Sequence, residues 1–336
     1  MKKKQRQPIR FTYQIIIALV LLIGAFILSM LFGAADTTWR DVWQAFTPTG
    51  TGEKVAILRE IRLPREVAAI FVGAALSVSG AIMQGMTRNP LADPGLLGLT
   101  AGANAALAIT LAWLPNLNYF GIMIACFIGA ALAAGLVFGI ASLKRGGFSP
   151  FRIVLAGAAI SAFLLAVAEG IGIYFHLSKD VSMWTAGGLI GTTWEQLQLI
   201  VPFIVIGIGL ALVFSKQLTI LSLSEEVAVG LGQKTTQIKM ILFIITTFLA
   251  GAAVALVGNI AFIGLMVPHI VRGIVGTDYR YIIPISTITG AIFMLLADTL
   301  GRNINPPYET PVAAIISIMG LPFFLFIIHK GGKAFS

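Results

Sequence analysis

Very few side chains in the apolar part of this sequence could do chemistry. The candidate acidic residues within its long hydrophobic stretches are Glu169, Asp298 and Glu309, and of these only Glu169 lies far from a predicted helix end. A carboxylate near the middle of a membrane usually belongs to an ion-coupled transporter or faces a watery cavity. Glu169 could equally pack between helices in its protonated form, and the sequence leaves both interpretations open.

The histidines and the short motifs give no sign of a catalytic site. His176, His269 and His329 are scattered without the spacing of metal ligands, so no metal site is expected. The sequence contains no G-x-x-x-x-G-K-[ST] phosphate loop, no HExxH motif and no nucleophile elbow. We therefore expect that this chain does not hydrolyse ATP itself and is not an enzyme.

One short polar segment, LSLSEEVAVGLG at 221–232, interrupts the apolar pattern. Ser222 can cap a helix there, and Glu225 three residues later would complete a capping box. Glu225 and Glu226 then fall in the first turn, where the helix dipole favours negative charge, and Gly232 is placed to end the helix. The segment is too short to cross a bilayer, so it is either an interfacial turn or a rigid knob that inserts into a partner protein.

The chain around this segment is strongly apolar. Of its 336 residues, 57% are hydrophobic and only 11% are charged, against about 25% charged residues in soluble domains. Ten stretches are long enough to span a membrane as helices, at about 17–25 residues each. They are 12–34, 64–86, 95–114, 119–143, 151–175, 195–214, 238–257, 260–276, 281–300 and 309–329. We therefore predict an all-α polytopic membrane protein of about ten transmembrane helices, with 1–336 as a single transmembrane domain.

The basic residues orient these helices. If the N-terminus is cytoplasmic, the 23 Lys and Arg residues divide into 16 inside and 7 outside, as the positive-inside rule requires. The N-terminal tail (1–11), the loop around the short helix (221–237) and the C-terminal tail (330–336) are then all cytoplasmic. This topology accounts for the net charge of +9, and no nucleic-acid partner is expected.

Several of the external basic residues lie in the segment LREIRLPR at 58–65. They could hold the following helix at the level of the lipid head groups. Alternatively they could form a docking patch for an acidic partner, because the arginine fork binds carboxylates in a bidentate manner.

Two glycine-rich runs, 73–85 and 251–264, match each other, with Gly73 and Gly80 mirrored by Gly251 and Gly258. Small residues at this spacing let helix backbones approach closely. Because the two runs cross the membrane in opposite directions in this topology, they indicate two inverted five-span halves.

The sequence resembles the FecCD family of bacterial ABC-importer permeases. Four motifs carry the resemblance in order, namely GAALSVSGAIMQGMTRNPLADPGLLGLTAGA (73–103), LSLSEEVAVGLG (221–232), IAFIGLMVPHIVR (260–272) and LLADTLGR (295–302). The resemblance implies a type II ABC importer permease fold in the bacterial plasma membrane. It also implies a second permease subunit, two ATPase subunits that hold ATP and Mg, and an extracytoplasmic binding protein, with no cofactor on this chain.

The resemblance further implies roles for individual residues. The coupling helix, which would enter a groove on the ATPase, comprises Ser222, Glu225, Glu226, Val227, Val229, Gly230, Leu231 and Gly232. The arginines that would receive acidic residues of the binding protein are Arg62, Arg65 and Arg302. The cytoplasmic gates would be Asn89 and Leu91, and then Ser149, Pro150 and Phe151, where relatives often carry small polar residues. The pathway would be lined by Glu169, His176 and Trp184, although Trp184 could instead anchor the chain at the membrane interface.

The expected function is that of a permease subunit which carries an iron–siderophore complex, with haem and cobalamin as alternative cargoes. A secondary transporter would need a coupling-ion site, and an intramembrane enzyme would need paired catalytic groups at one depth. Neither alternative accounts for the short cytoplasmic helix.

Overall fold

The computed structural model describes residues 6–33, 37–47, 50–142, 150–185, 188–306 and 308–331, and its regular structure is helical throughout these ranges. The helices of the first half are α1 (Arg6–Leu31), α2 (Trp39–Ala45), α3 (Glu53–Ile57), α4 (Leu63–Thr87), α5 (Leu99–Trp113), α6 (Tyr119–Ser142), α7 (Pro150–Tyr174) and α8 (Ser178–Thr185). Those of the second half are α9 (Trp194–Val213), α10 (Ser215–Leu223), α11 (Glu225–Gly230), α12 (Thr235–Val257), α13 (Ile263–Val275), α14 (Tyr279–Asn303) and α15 (Val312–Gly331). A π-helical turn, Leu58–Arg62, joins α3 to α4, and a 3-10 turn, Pro94–Leu97, precedes α5.

The predicted spans correspond to helices of two lengths. In the described part of the chain, seven helices are long and apolar enough to cross a membrane: α1, the continuous α3–α4 unit, α6, α7, α9, α12 and α14. Three shorter apolar helices, α5, α13 and α15, account for the other predicted spans. The prediction of an all-helical protein with about ten membrane helices is therefore confirmed.

Two predicted spans begin later than their apolar pattern indicates. The stretch 95–114 starts with a 3-10 turn, and Gly98 then adopts a left-handed conformation with φ of 73° before α5 begins. The stretch 260–276 contains only the 13 residues of α13, because Phe262 before it has a left-handed φ of 69°. Hydropathy is a property of the side chains, so it gives no sign of these left-handed residues. Each of them leaves a segment before the helix that is apolar but not α-helical.

The helices at the centre of the fold are α4 and α12, whose side chains are the most buried of the spanning helices. Close backbone approach fixes α4 against its neighbours. A methyl group at Gly73 would collide with the carbonyl oxygen of Gly290 on α14, and one at Gly80 would collide with the carbonyl oxygen of Gly264 on α13. The glycines in the first run are thus packing residues. The inverted relationship between the two halves stays a prediction.

The segment between α1 and α4 folds into a small unit. Thr38 and Asp41 form a capping box at the start of α2. At its end the Arg59 guanidinium donates hydrogen bonds to the carbonyl oxygens of Gln44 and Ala45, at 3.0 and 2.8 Å. One arginine of the LREIRLPR segment therefore has a structural role in this segment.

Candidate coupling helix, arginine cluster and transport cavities

The predicted coupling segment forms the short helix α11, but it is capped by a different serine. Ser224 has an extended backbone, with φ of −158°, and its side chain accepts a hydrogen bond from the Val227 N–H at 3.1 Å. The hydroxyl of Ser222 instead donates to the Thr219 carbonyl oxygen at 2.8 Å, within α10. The prediction of Ser222 as the cap was wrong, because α10 continues to Leu223 and the chain turns only at Ser224.

The exposed surface of α11 is apolar. Val227, Val229 and Leu231 are 45%, 57% and 65% exposed, and Leu223 just before the helix is 65% exposed. Glu226, Gly230 and Gly232 are also exposed. Isolated exposed apolar side chains are ordinary, but four of them on one six-residue helix and its flanking residues are typical of a contact surface. Most of the predicted coupling residues therefore point away from the rest of the chain.

Glu225 differs from these residues because it points towards the membrane helices. Its Oε1 lies 2.7 Å from the Nζ of Lys239 on α12, and its Oε2 lies 3.9 Å from the Arg88 guanidinium at the end of α4. The Lys239 side chain is only 6% exposed. The hydrogen bond from Lys239 is the largest cause that lowers the pKa of Glu225 below its ordinary value of 4.5. Glu225 thus joins α11 to two central helices.

The helix before α11 is attached to α14. Thr219 on α10 donates to a carboxylate oxygen of Asp278 at 3.1 Å, and its hydroxyl accepts from the Tyr279 N–H at 2.9 Å. Gln233, just after α11, donates to the Gln217 carbonyl oxygen at 3.0 Å. The α10–α11 unit is therefore attached to α14 through Thr219, and its own two ends are joined through Gln233.

The three predicted docking arginines lie together at the opposite end of the bundle, and their side chains are buried. Arg62, Arg65 and Arg302 are 6%, 8% and 3% exposed. Arg65 forms a bidentate ion pair with Asp298 on α14, with a shortest distance of 2.8 Å, and a second pair with Glu309 at 2.7 Å. Its guanidinium is thus already paired with two of this chain's own carboxylates.

The other two arginines complete a buried network between α1, α4 and α14. Arg302 lies 2.6 Å from Glu66 and 3.1 Å from Asp298. The hydroxyl of Ser29 on α1 donates to Glu66, and Arg62 donates to the Met30 carbonyl oxygen at 2.7 Å. Each buried charge here has polar partners, as burial of charge requires. Sequence reasoning found the arginines but missed the carboxylates that pair with Arg65 and Arg302, namely Glu66, Asp298 and Glu309.

A cavity of about 820 Å³ lies where the first cytoplasmic gate was predicted. Asn89 and Leu91 line it, together with Asp93 and residues of α5, α7 and α15. The Asn89 and Asp93 side chains accept hydrogen bonds from the backbone N–H groups of Leu91 and Gly95, at 3.0 and 2.7 Å. These two turns give the loop its shape. Pro150 is the first residue of α7, and Ser149 lies outside the described residues.

A second cavity, of about 530 Å³, contains Glu169. It is bounded by α5, α7 and α8, and it shares Asn104 and Leu165 with the larger cavity. The three predicted pathway residues do not come together. Trp184 lines a separate cavity of about 450 Å³ with Asp180 and Gln196, and His176 is exposed in a left-handed turn, with φ of 58°.

Comparison with known proteins places this architecture in a family. A sequence model described as the FecCD transport family matches residues 21–330. The iron(3+)-hydroxamate import system permease protein FhuB of Bacillus subtilis is 44% identical, over 95% of this chain and 84% of that protein. The hemin transport system permease protein HmuU of Yersinia pestis is 37% identical, over 93% of this chain and 94% of that protein.

A solved structure shares the fold. An ABC transporter described as metal-chelate type, in an inward-facing conformation, superposes with a TM-score of 0.82 at 24% identity, over 95% of this chain and 99% of that chain. The match in helix order agrees with the sequence matches over nearly the whole chain. The protein is therefore a member of the FecCD transport family.

Proposed function

We propose that this chain is the membrane-spanning permease subunit of an ATP-driven importer, and that its cargo is an iron–siderophore complex. ATP would be hydrolysed on separate ATPase subunits, and a binding protein would deliver the cargo from outside. A second permease subunit would complete the pathway. Both termini and α11 would face the cytoplasm of a bacterial cell.

The observation that best supports this proposal is that α11 has exposed apolar side chains on its surface and an ion pair that attaches it to the bundle. An exposed apolar surface formed by Leu223, Val227, Val229 and Leu231 needs a partner. The same helix is fixed to the bundle through Glu225 and Lys239. The exposed apolar side chains of α11 would bind the partner, and the ion pair on its other side would hold it to α12. Such a helix can convert the movement of a partner into movement of the spans.

Two observations favour an iron–siderophore complex as the cargo, namely the polar side chains that line the larger cavity and the substrates named for the relatives. Asn89, Asp93, Thr100 and Ser161 give that cavity several hydrogen-bonding side chains, which suit a hydrophilic chelate better than a flat apolar macrocycle. The relatives named above transport iron(3+)-hydroxamate and hemin. Haem is therefore the second candidate, and cobalamin is a third.

Docking of the binding protein on the arginine cluster would involve exchange of partners, because the guanidinium groups of Arg65 and Arg302 are buried in ion pairs. Glu309 is the accessible member of the cluster, with its side chain 27% exposed, whereas Asp298 is 1% exposed and Glu66 is fully buried. An acidic residue of the binding protein would replace Glu309 on the outer side of Arg65. Asp298 would stay on the inner side and keep the guanidinium in place.

Uptake in proteoliposomes tests the proposal. The chain is reconstituted with its ATPase and binding protein, and uptake of radiolabelled ferric hydroxamate, ferric citrate and haem is compared with and without ATP. ATP-dependent uptake of a ferric siderophore supports the proposal. Uptake without the ATPase would identify a secondary transporter instead, and ATP-dependent uptake of haem alone would correct the cargo.

A further inference from the structure

The two transport cavities meet at one polar side chain. Asn104 of α5 lines both the cavity of about 820 Å³, which reaches Asn89, and the cavity of about 530 Å³, which reaches Ser178. Leu165 of α7 is the other shared residue. A molecule that passes from one cavity to the other must therefore pass Asn104 and Leu165.

Asn104 has unused hydrogen-bonding capacity. The side chain is only 2% exposed, and its Oδ1 has no hydrogen-bond partner among the residues that the structure describes. A buried carboxamide oxygen without a partner is unfavourable, so such groups usually have a reason to remain. Thr110, one of the other polar residues of α5, satisfies itself by donating to the Ala106 carbonyl oxygen at 2.8 Å. The Asn104 Oδ1 atom can only accept a hydrogen bond, and no described group donates to it.

The position of Asn104 is fixed by backbone packing. Gly102 of α5 and Gly129 of α6 approach so closely that a methyl group on either would collide with the carbonyl oxygen of the other. This contact sets the rotation of α5 and directs Asn104 towards α7. The side chain is therefore preorganised, as a ligand-binding group should be.

We propose that Asn104 is a cargo-binding residue at the passage between the two cavities. Its carboxamide offers both a donor and an acceptor, so it would bind the amide, hydroxamate or hydroxyl groups at the periphery of a hydrophilic chelate rather than the ferric ion. Thr100 and Ser161 lie on the inner side of this position, and Glu169 and Ser182 lie on the outer side. This inference rests on the proposed transport function and adds the place where cargo is held in transit.

Cysteine labelling tests the inference directly, because the sequence has a single native cysteine, Cys126, which is buried. In a Cys126→Ala background, Asn104→Cys is treated with a membrane-impermeant methanethiosulfonate in proteoliposomes that contain the whole importer. We expect modification of Cys at this position, and several-fold slower modification when binding protein loaded with ferric hydroxamate and ATP are added. The matched control is Ala105→Cys, at a position that is similarly buried but lines neither cavity, and it should not react. No modification of Asn104→Cys, or modification unchanged by cargo, would overturn the inference.

A second variant separates this inference from the proposed function. Asn104→Leu keeps the branched shape of the side chain and removes its hydrogen bonds, so maximal uptake should fall about tenfold. Asn104→Gln should restore part of the uptake. If Asn104→Leu transports normally, the inference is wrong and the function stands. If the unmodified importer shows no ATP-dependent uptake of any ferric chelate, the proposed function fails instead.

Discussion

The Nη1 atom of Arg65 lies 2.7 Å from the Oε2 atom of Glu309, although the two residues are 244 positions apart in the sequence. On its other side the same guanidinium is held by Asp298 in a bidentate pair. The two carboxylates differ in accessibility, since Glu309 is 27% exposed and Asp298 is 1% exposed. Arg65 therefore has one buried partner and one partly exposed partner, and Glu309 is the one that a docking carboxylate would replace in the proposed function.

Removing the replaceable partner should strengthen docking. Glu309→Gln deletes the charge that competes with the acidic residue of the binding protein, so the affinity for the binding protein should rise about three- to tenfold. The measurement is the Kd of the loaded binding protein for the importer in nanodiscs, at low and at high salt. The gain should shrink as the salt concentration rises, because Glu309 is partly exposed.

Arg65→Gln provides the control for this prediction. It removes the docking cation and should weaken binding. If Arg65→Gln weakens binding but Glu309→Gln leaves it unchanged, docking uses Arg65 without partner exchange. If neither variant changes the Kd, the arginine cluster is structural and the docking surface lies elsewhere.

The buried carboxylates of the same cluster should control stability. Asp298→Asn removes the buried carboxylate that Arg65 and Arg302 share and leaves them only Glu309 and Glu66, and loss of one member of a buried ion pair costs about 3–5 kcal/mol. The thermal unfolding midpoint of the purified protein in detergent should fall clearly. Glu309→Gln at the edge of the cluster should change it little, and equal effects of the two variants would contradict the assigned difference in burial.

The arginine cluster also marks the limit of what the sequence could predict. Arg62, Arg65 and Arg302 were recognisable from local motifs, but their exposure was not, because burial depends on Glu66, Asp298 and Glu309 being brought together by the packing of α4 on α14. The spacing of residues within one motif does not predict contacts with residues that are far away in the sequence. The approximate number of membrane helices was predictable, because the hydropathy of each stretch depends only on its amino-acid composition.

The functional details within helices were less predictable. Ser222 and Ser224 are equivalent by residue type, and the extended backbone of Ser224 decides which of them caps α11. Asn104 was missed, although a lone carboxamide in the mainly apolar α5 was a visible signal. Its significance depends on two cavities that meet there, and only the tertiary structure reveals these.

Reversing a charge at the start of α11 should uncouple transport. Glu226 is exposed in the first turn of that helix, so Glu226→Arg opposes the helix dipole and places a cation on the proposed contact with the ATPase. Uptake should fall at least about tenfold, with normal membrane levels. Glu195→Arg is a matched control, because Glu195 is also exposed in the first turn of a helix, α9, at the predicted outer end. Unchanged uptake in Glu226→Arg would show that the coupling contact does not include this residue.

The attachment of α11 to α12 should weaken only in acid. The pKa of Glu225 is lowered below 4.5, chiefly by the hydrogen bond from Lys239. A carboxylate with a lowered pKa contributes its full stabilisation above its ordinary pKa and loses that stabilisation as the pH falls through the lowered value. A spin label at Val229→Cys in the Cys126→Ala background should therefore be immobile at pH 7 and pH 5, and should gain mobility only below about pH 4.5.

Two variants test whether protonation of Glu225 causes the gain in spin-label mobility at low pH. Glu225→Gln removes the ionisable group, so the spin label should be mobile across the whole pH range. Glu226→Gln alters a solvated neighbour, so the label should follow the same transition as in the unmodified helix. A midpoint well above pH 4.5, or a transition that persists in Glu225→Gln, would mean that another group holds α11 in place. The bond between Glu225 and Lys239 would then be incidental to coupling, and the anchor would have to be sought at Thr219 and Asp278.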